Sequence, residues 1–213
     1  MTSFDPAGAW VGTDASFLRR FAAQAGLSVT VMPVRSFAGM WARPGRDECD
    51  IAAGGIADLP SRRAASPGTT WSRPYYEVLR AFAVRKGSTL TGPEGLAGRT
   101  VIVTRGSTAE YDLRQQIRRN HLRGVNVLYA TGESAAVAMV SRGAAFAYGG
   151  GLISIRYQAK RFRNITVAWP HRMLLANGRS GTEAFSYPVR TADTGLIQAL
   201  NAFIAANKAS YGK

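Results

Sequence analysis

The chain has 213 residues, 46% of them apolar and 19% charged, with a formal net charge of +14. That balance belongs to an ordinary globular chain, long enough for one large domain or two small ones. No run of 18 apolar residues is present, so nothing reads as a membrane span. Cys49 is the sole cysteine, which excludes an internal disulfide and a cysteine-based zinc site, and His121 and His171 alone supply little for a histidine-rich metal site or a Ser/His/Asp triad.

In chain order, "GTDASFLRRFAAQAG" reads as a helix. Thr13 or Asp14 is placed to cap it, Phe17, Phe21 and Ala22 share a face, and Gly26 stops it. "LSVTVMPV" alternates as a strand. "FAGMWAR" reads as a short helix, "CDIAAGG" as a short buried strand ending in two glycines, and "LPSRRAA" as a turn or one helical turn. "PYYEVLRAFAVRK" has the β-rich, alternating character of extended chain.

"GPEGLAG" breaks the chain, and a regular alternation follows. "RTVIVTR", "VNVLYA", "AFAYGGG" and "NITVAW" read as strands, and "STAEYDLRQQIRRNHL", "GESAAVAMVSRG" and "LISIRYQAKRF" as the helices between them. This βαβαβαβ order predicts an α/β fold, with a parallel or mixed sheet covered by helices on both faces. "EAFSYPVR" reads as a further strand, and a C-terminal helix with Leu196, Leu200 and Phe203 on its inner face closes the chain. Two α/β units are therefore expected. The last strand and helix have no obvious place in the second.

The charge is uneven. Arg85 to Ala184 holds 15 Lys and Arg against 5 Asp and Glu, and the remainder holds 12 against 8. Such a bias favours an anionic partner. The basic residues are spread over several predicted helices with no nucleic-acid motif beside them, so no nucleic-acid partner is expected. "RQQIRRNHLR" and "KRFR" read as solvated faces.

Two short stretches suit an anion. Ser107 and Glu110 form an S-x-x-E capping box at the start of a helix. A helix N-terminus offers unpaired N–H groups and a partial positive charge, Gly106 admits close backbone approach, and Ser107 and Thr108 add hydroxyls. The bland reading is a capped helix; the functional one is a seat for a carboxylate or phosphate. No lysine follows, so this is not a G-x-x-x-x-G-K phosphate loop. In the first unit, Arg62 and Arg63 follow a glycine-ended strand. An arginine grips a carboxylate through two parallel hydrogen bonds, although two adjacent arginines also suit a plain surface pair.

The order of "GAWVGTDASFLRRFAAQAG", "CDIAAGGIADLPSRRA", "WSRPYYEVLRAFAVRK", "LAGRTVIVTRGSTAE" and "LIQALNAFIAANKASYG" resembles the family 3 extracytoplasmic solute-binding proteins of ABC importers. The resemblance covers nearly the whole chain. It implies a two-lobed type II periplasmic-binding-protein fold, two mixed sheets joined by two hinge strands, with ligand trapped between the lobes. Lobe one would be residues 1–84 plus 187–213, which gives the orphan C-terminal strand and helix a home, and lobe two residues 85–186. Hinges are expected near Ala83–Val84 and Ser186–Tyr187. The resemblance assigns Arg62 to the ligand carboxylate from lobe one, with Gly55 and Ala57 beside it, and Gly106, Ser107 and Thr108 from lobe two. Phe4, Trp10 and Trp71 are aromatic candidates for the ligand site, joined by Tyr148 and Gly151 from lobe two. It further implies no cofactor or metal, an ABC permease as partner, a monomer, and a periplasmic or extracytoplasmic location after removal of a leader not present in this chain.

Three departures bear on the ligand. Amino-acid receptors of this family carry a hydroxyl where Ala57 stands and an ammonium-binding aspartate at about Gly151. Both ammonium contacts are absent while the carboxylate contacts remain. The expected ligand is a carboxylate other than an ordinary α-amino acid in the usual pose, with Asp58 as a candidate replacement charge. The family also has a strand just before the position of Ser3-Phe4, and this chain starts after it, which predicts unpaired backbone and exposed apolar surface in lobe one. Cyclohexadienyl dehydratases share the fold, but their acidic glutamate would fall near Ser154. An enzyme is not expected, and Glu133 or Glu183 would have to take that role. A sensory binding module is the third reading.

Overall fold

The computed structural model describes residues 2–5, 7–34, 36–175 and 177–211. The chain divides into two compact units: Met1–Val34, Gly39–Glu77 and Ala184–Lys213 form unit one, and Arg35–Ala38 with Val78–Glu183 form unit two. The expected lobe limits at residues 1 and 213 lie outside the described residues.

The chain opens with β1 (Thr2–Phe4), β2 (Trp10–Gly12), α1 (Thr13–Gln24), the single turn α2 (Pro60–Ala64), β3 (Thr69–Trp71) and β4 (Tyr76–Val78). Unit two follows with β5 (Arg80–Arg85), β6 (Thr100–Thr104), α3 (Thr108–Arg119), β7 (Asn126–Ala130), α4 (Glu133–Ser141), β8 (Ala147–Gly151), α5 (Leu152–Arg161), β9 (Ile165–His171), and the short strands β10 (Met173–Leu174) and β11 (Ser180–Gly181). The chain returns through β12 (Glu183–Phe185), β13 (Pro188–Arg190) and α6 (Thr194–Asn207).

Unit two is built on one five-stranded mixed sheet of order β7-β6-β8-β5-β9. β6 runs parallel to β7 and β8, and β5 antiparallel to β8 and β9. Strand alternation sorts its side chains to two faces. Ala81, Ala83 and Ile102 join Ala136, Val137, Val140 and Ile155 of α4 and α5. Phe82, Val84, Val101 and Val103 join Ala109 and Leu113 of α3. Helices on both faces are thus dictated by a period-two pattern in β5 and β6. Each fully buried Leu or Ile stabilises by about 1.5–3 kcal/mol. Ala83 and Val84, expected at a hinge, stand mid-strand in this sheet and are wholly buried. Apart from the short Arg35–Ala38 segment, the chain passes between the units at Glu77–Val78 and Glu183–Ala184, in β4 and β12, which pair with each other.

Unit one has no comparable sheet among its described residues. Its pairing comes in short ladders: β1 with β2, and β13 with β3. The expected strand at Cys49–Gly55 reduces to a single bridge, Ile51 to Val189. The expected strand at Leu27–Val34 is absent. Its backbone makes no hydrogen bond from Ser28 to Val34 among the described residues, and Leu27, Val29, Val31 and Met32 are exposed. The pattern is right for a strand, but no described strand lies alongside to complete the ladder. Helix packing carries this unit instead: Phe17 of α1 meets Phe203 of α6 edge-on at 4.9 Å and Tyr211 at 5.4 Å.

Asp14 departs from its expected place as a cap of α1. Gly12, at φ 107, holds the N-cap position of α1 without a side-chain cap. Asp14 instead falls on the buried face with Phe17, Leu18 and Phe21, and accepts hydrogen bonds from the hydroxyls of Tyr187 at 2.9 Å and Tyr211 at 2.8 Å. Burial and the Asp14 charge push both phenols well above their ordinary pKa.

Candidate functional site

In unit one the candidate residues gather at the turn "LPSRRA". Pro60 fixes the first position of α2, and the single helical turn sends two adjacent arginines to opposite environments. Arg62 is buried. Its Nη1 donates to the Ala57 carbonyl at 3.0 Å, and its guanidinium lies over the Trp41 ring at 4.4 Å. A cation stacked on indole and tethered to a carbonyl is oriented before any ligand arrives. Arg63 is half exposed and grips Asp58 with two bonds of 2.6 Å. Asp58, a candidate replacement charge for a ligand ammonium, is therefore committed to Arg63. Ala57 is wholly buried and bridges to Phe185. The Gly55 N–H donates to Asp14 at 3.0 Å, so the buried carboxylate of α1 holds the glycine loop leading to Arg62.

In unit two the candidate residues lie at the N-terminus of α3. Ser107 is the N-cap, and its hydroxyl accepts from Glu110 N–H at 3.2 Å. The Glu110 carboxylate reaches back to accept from Gly106 N–H at 2.7 Å, which completes a reciprocal cap one residue wider than the usual box. Gly106 has φ +74, and a Cβ there would stand 2.9 Å from the Ala38 methyl, so glycine is required on both counts. Burial alone would raise Glu110, yet hydrogen bonds from Tyr129, Gly106 N–H and Arg114 hold its carboxyl below the ordinary glutamate value. Thr108 is buried, and its hydroxyl donates to Glu183 at 2.5 Å. Glu183 in turn pairs with Arg80 at 2.9 Å. One hydroxyl of this helix end thus serves an internal ion pair.

A buried polar group surrounds the C-terminal ends of β6 and β8. Tyr148 is wholly buried, its hydroxyl 3.4 Å from Thr104 Oγ1. Burial and the neighbouring Glu133 carboxylate push its phenol well above the ordinary value. Ser154 donates its hydroxyl to Glu133. Gly151 caps α5 in the buried end of β8, and a Cβ added there would meet Val78 at 3.2 Å and the Arg80 guanidinium at 3.6 Å. A side chain at this position would point toward a cation, and the Glu183 carboxylate occupies that role.

The aromatic candidates differ. Phe4 lies on β1, 46% exposed, opposite Trp10, which is buried. Trp71 is buried at the end of β3 with Arg63 over its ring at 5.7 Å, and its indole N–H has no hydrogen-bond partner among the described residues. Three participants have no role in the site from sequence alone, Asp14, Trp41 and Arg80, while Glu183 is expected there only as a stand-in catalytic acid. Only Asp14 left a readable signal, since it shares the helical spacing of Phe17, Leu18 and Phe21. No cluster of three metal-ligating side chains exists among the described residues.

Comparison with known proteins bears on this arrangement. The model of the bacterial extracellular solute-binding proteins, family 3, matches residues 1–212. No curated protein matches the sequence. Solved structures resemble the chain over nearly all its length. An ancestral arginine-binding protein bound to arginine superposes with a TM-score of 0.81 at 22% identity, covering 98% of this chain and 87% of that one. ArgBP from T. maritima in holo form gives 0.77 at 21%, covering 97% and 84%. An ancestral amino acid-binding protein described as a precursor of cyclohexadienyl dehydratase gives 0.77 at 20%, covering 98% and 84%. At these identities the likeness establishes the fold. No helix among the described residues is long and apolar enough to cross a membrane.

Proposed function

Since the chain belongs to the bacterial extracellular solute-binding proteins of family 3, we propose that it is a receptor for a small carboxylate-bearing solute, working outside the cytoplasm as a monomer and delivering its ligand to an ABC permease. The observation that carries this reading is Arg62: buried, tethered to the Ala57 carbonyl and stacked on Trp41. A guanidinium so placed binds a carboxylate with little loss of side-chain entropy. In unit two the N-terminus of α3 offers a separate candidate anion contact through the Ser107 hydroxyl, since Gly106 N–H already serves Glu110.

The solved neighbours include proteins bound to arginine and to glutamine. In this chain an ammonium group meets Ala57 and Gly151 at the positions where the family's amino-acid receptors supply acceptors, and Asp58 is committed to Arg63. An unpaired buried ammonium costs several kcal/mol. The preferred ligand is therefore a carboxylate without an α-amino group, such as a keto, hydroxy or aromatic acid. A thermal-shift panel of amino acids, keto acids, aromatic acids and dicarboxylates tests this. Stabilisation is expected from a non-amino carboxylate, about 2.7 kcal/mol at 100 times its Kd. Stabilisation confined to L-amino acids would overturn the ligand class.

A dehydratase-like activity is the second reading, favoured by one contact. Glu133 brings its carboxylate onto the hydroxyl of Ser154, near the position where the related enzymes carry their acid. Turnover of prephenate or arogenate, abolished in Glu133→Gln, would establish it. No turnover with either leaves binding as the function.

A further inference from the structure

The C-terminal end of α3 borders a concavity of about 410 Å³ that lies within unit two. Among the described residues its walls are Gln115, Arg118, Arg119, His121 and Leu175. Four of these come from the end of α3 and the turn after it. Leu175 comes from the turn that joins β10 to β11. This end of α3 is the opposite one from Ser107, about 18 Å along the axis.

The walls are fixed to each other. Asp112 of α3 is buried and accepts from Leu174 N–H at 2.7 Å, and His171 Nε2 lies 2.8 Å from its other oxygen. One turn of helix separates Asp112 from Gln115, and Leu174 directly precedes Leu175. The Arg119 guanidinium rests on Gly178 so closely that a Cβ there would fall 2.3 Å from it.

The lining is donor-rich and unopposed. Gln115 is 9% exposed, and its amide has no hydrogen-bond partner among the described residues, although it faces the concavity. An amide without a partner in the chain is open to water or to a ligand that enters the concavity. The side chains of Arg118, Arg119 and His121 likewise make no ion pair or hydrogen bond among the described residues. From Leu113 to Thr182 the sequence holds eleven Lys and Arg and a single acid, Glu133. Asp112, one turn before Gln115, is already committed to Leu174 N–H and His171, and no ion pair of Arg118 or Arg119 is present among the described residues.

We infer that this concavity binds a phosphate group. Two guanidinium groups present paired N–H donors that match a tetrahedral oxyanion, and the Gln115 amide adds a neutral donor. The helix C-terminus opposes an anion with roughly half an elementary charge. Two full positive charges outweigh it. A free phosphate compound and a phospholipid headgroup share this chemistry, and the experiment separates them.

Inorganic phosphate and pyrophosphate are titrated at low ionic strength into the isotope-labelled full chain, with the Gln115 side-chain amide and the arginine Nε–H signals followed by NMR. Phosphatidic-acid vesicles are compared with phosphatidylcholine vesicles by co-sedimentation. The variants are R118A/R119A, at exposed positions, and Q115L, which removes a donor without changing charge. Saturable shifts centred on these residues are expected, with affinity falling roughly tenfold or more in R118A/R119A. A several-fold fall is expected in Q115L. If the source is a lipid, phosphatidic-acid vesicles bind the wild type and not R118A/R119A, and free phosphate binds weakly. The inference is overturned if neither probe binds, if R118A/R119A binds as the wild type does, or if Q115L keeps full affinity, since a general basic surface would ignore the neutral amide.

Discussion

Arg80 and Glu183 form a buried ion pair, Nη2 to Oε2 at 2.9 Å, with 6% and 0% of their side chains exposed. Glu183 also accepts the Thr108 hydroxyl, so the pair joins the start of β5, the start of β12 and the start of α3. Removing one partner leaves the other charged and unsolvated. Arg80→Ala is expected to destabilise by about 3–5 kcal/mol in urea unfolding. The double change Arg80→Met with Glu183→Leu is expected to recover most of that loss. Equal loss in the single and double variants would show that packing, not the stranded charge, sets the cost.

Asp14 gathers three donors from distant parts of unit one: Gly55 N–H, Tyr187 OH and Tyr211 OH. Asp14→Ala strands all three and is expected to cost about 3–5 kcal/mol. The same change releases the glycine loop before Arg62. Ligand affinity should fall even at temperatures where the variant stays folded. A variant with native affinity and lowered stability would confine Asp14 to the core.

Amide exchange should separate the two units. Residues 28–34 make no backbone hydrogen bonds among the described residues, whereas Val101, Ile102 and Val103 are wholly buried in the centre of the unit-two sheet. Exchange in 28–34 is expected within seconds, and in β6 only through global opening. Slow exchange at Val29 and Val31 would mean that another strand covers them in solution.

Glu110 gives a pH dependence with a definite sign. Its folded-state pKa lies below the ordinary value of 4.5 because Tyr129, Gly106 N–H and Arg114 donate to its carboxylate. The contribution is present above pH 4.5 and is lost as pH falls through the lower folded value. The group is partly exposed, so the effect is about 1 kcal/mol or less. Glu110→Gln should differ from the wild type at pH 7, and the difference should vanish in acid. A difference that persists at low pH would assign it to lost packing.

Unit two was largely legible in the sequence, since its pairings follow the chain and its helices and strands carry clear periods. β5 was read only as extended, because a run buried on both sides has no polar face to mark it. Unit one was less legible. Its strand pairings join residues far apart, such as Val189 with Thr70 and Ile51, and no local pattern records them. Leu27–Val34 reads as a strand but has no partner, a conflict between local pattern and tertiary context. Asp14 was read as a cap by its residue type, although its spacing with Phe17 and Phe21 placed it inside. At the site, "PSRR" marks a turn with two arginines. That Arg62 turns inward onto Trp41 depends on a residue twenty-one positions earlier, which no spacing rule connects.

The central claim is that Arg62 reads a ligand carboxylate. The most direct measurement is isothermal titration of the stabilising carboxylate and its primary amide against the wild type and Arg62→Ala. Tight binding of the acid by the wild type is expected, with a loss of about 2–4 kcal/mol either on amidation or in Arg62→Ala, and little further loss when both changes are combined. Equal binding of acid and amide, or undiminished binding by Arg62→Ala, would contradict the account.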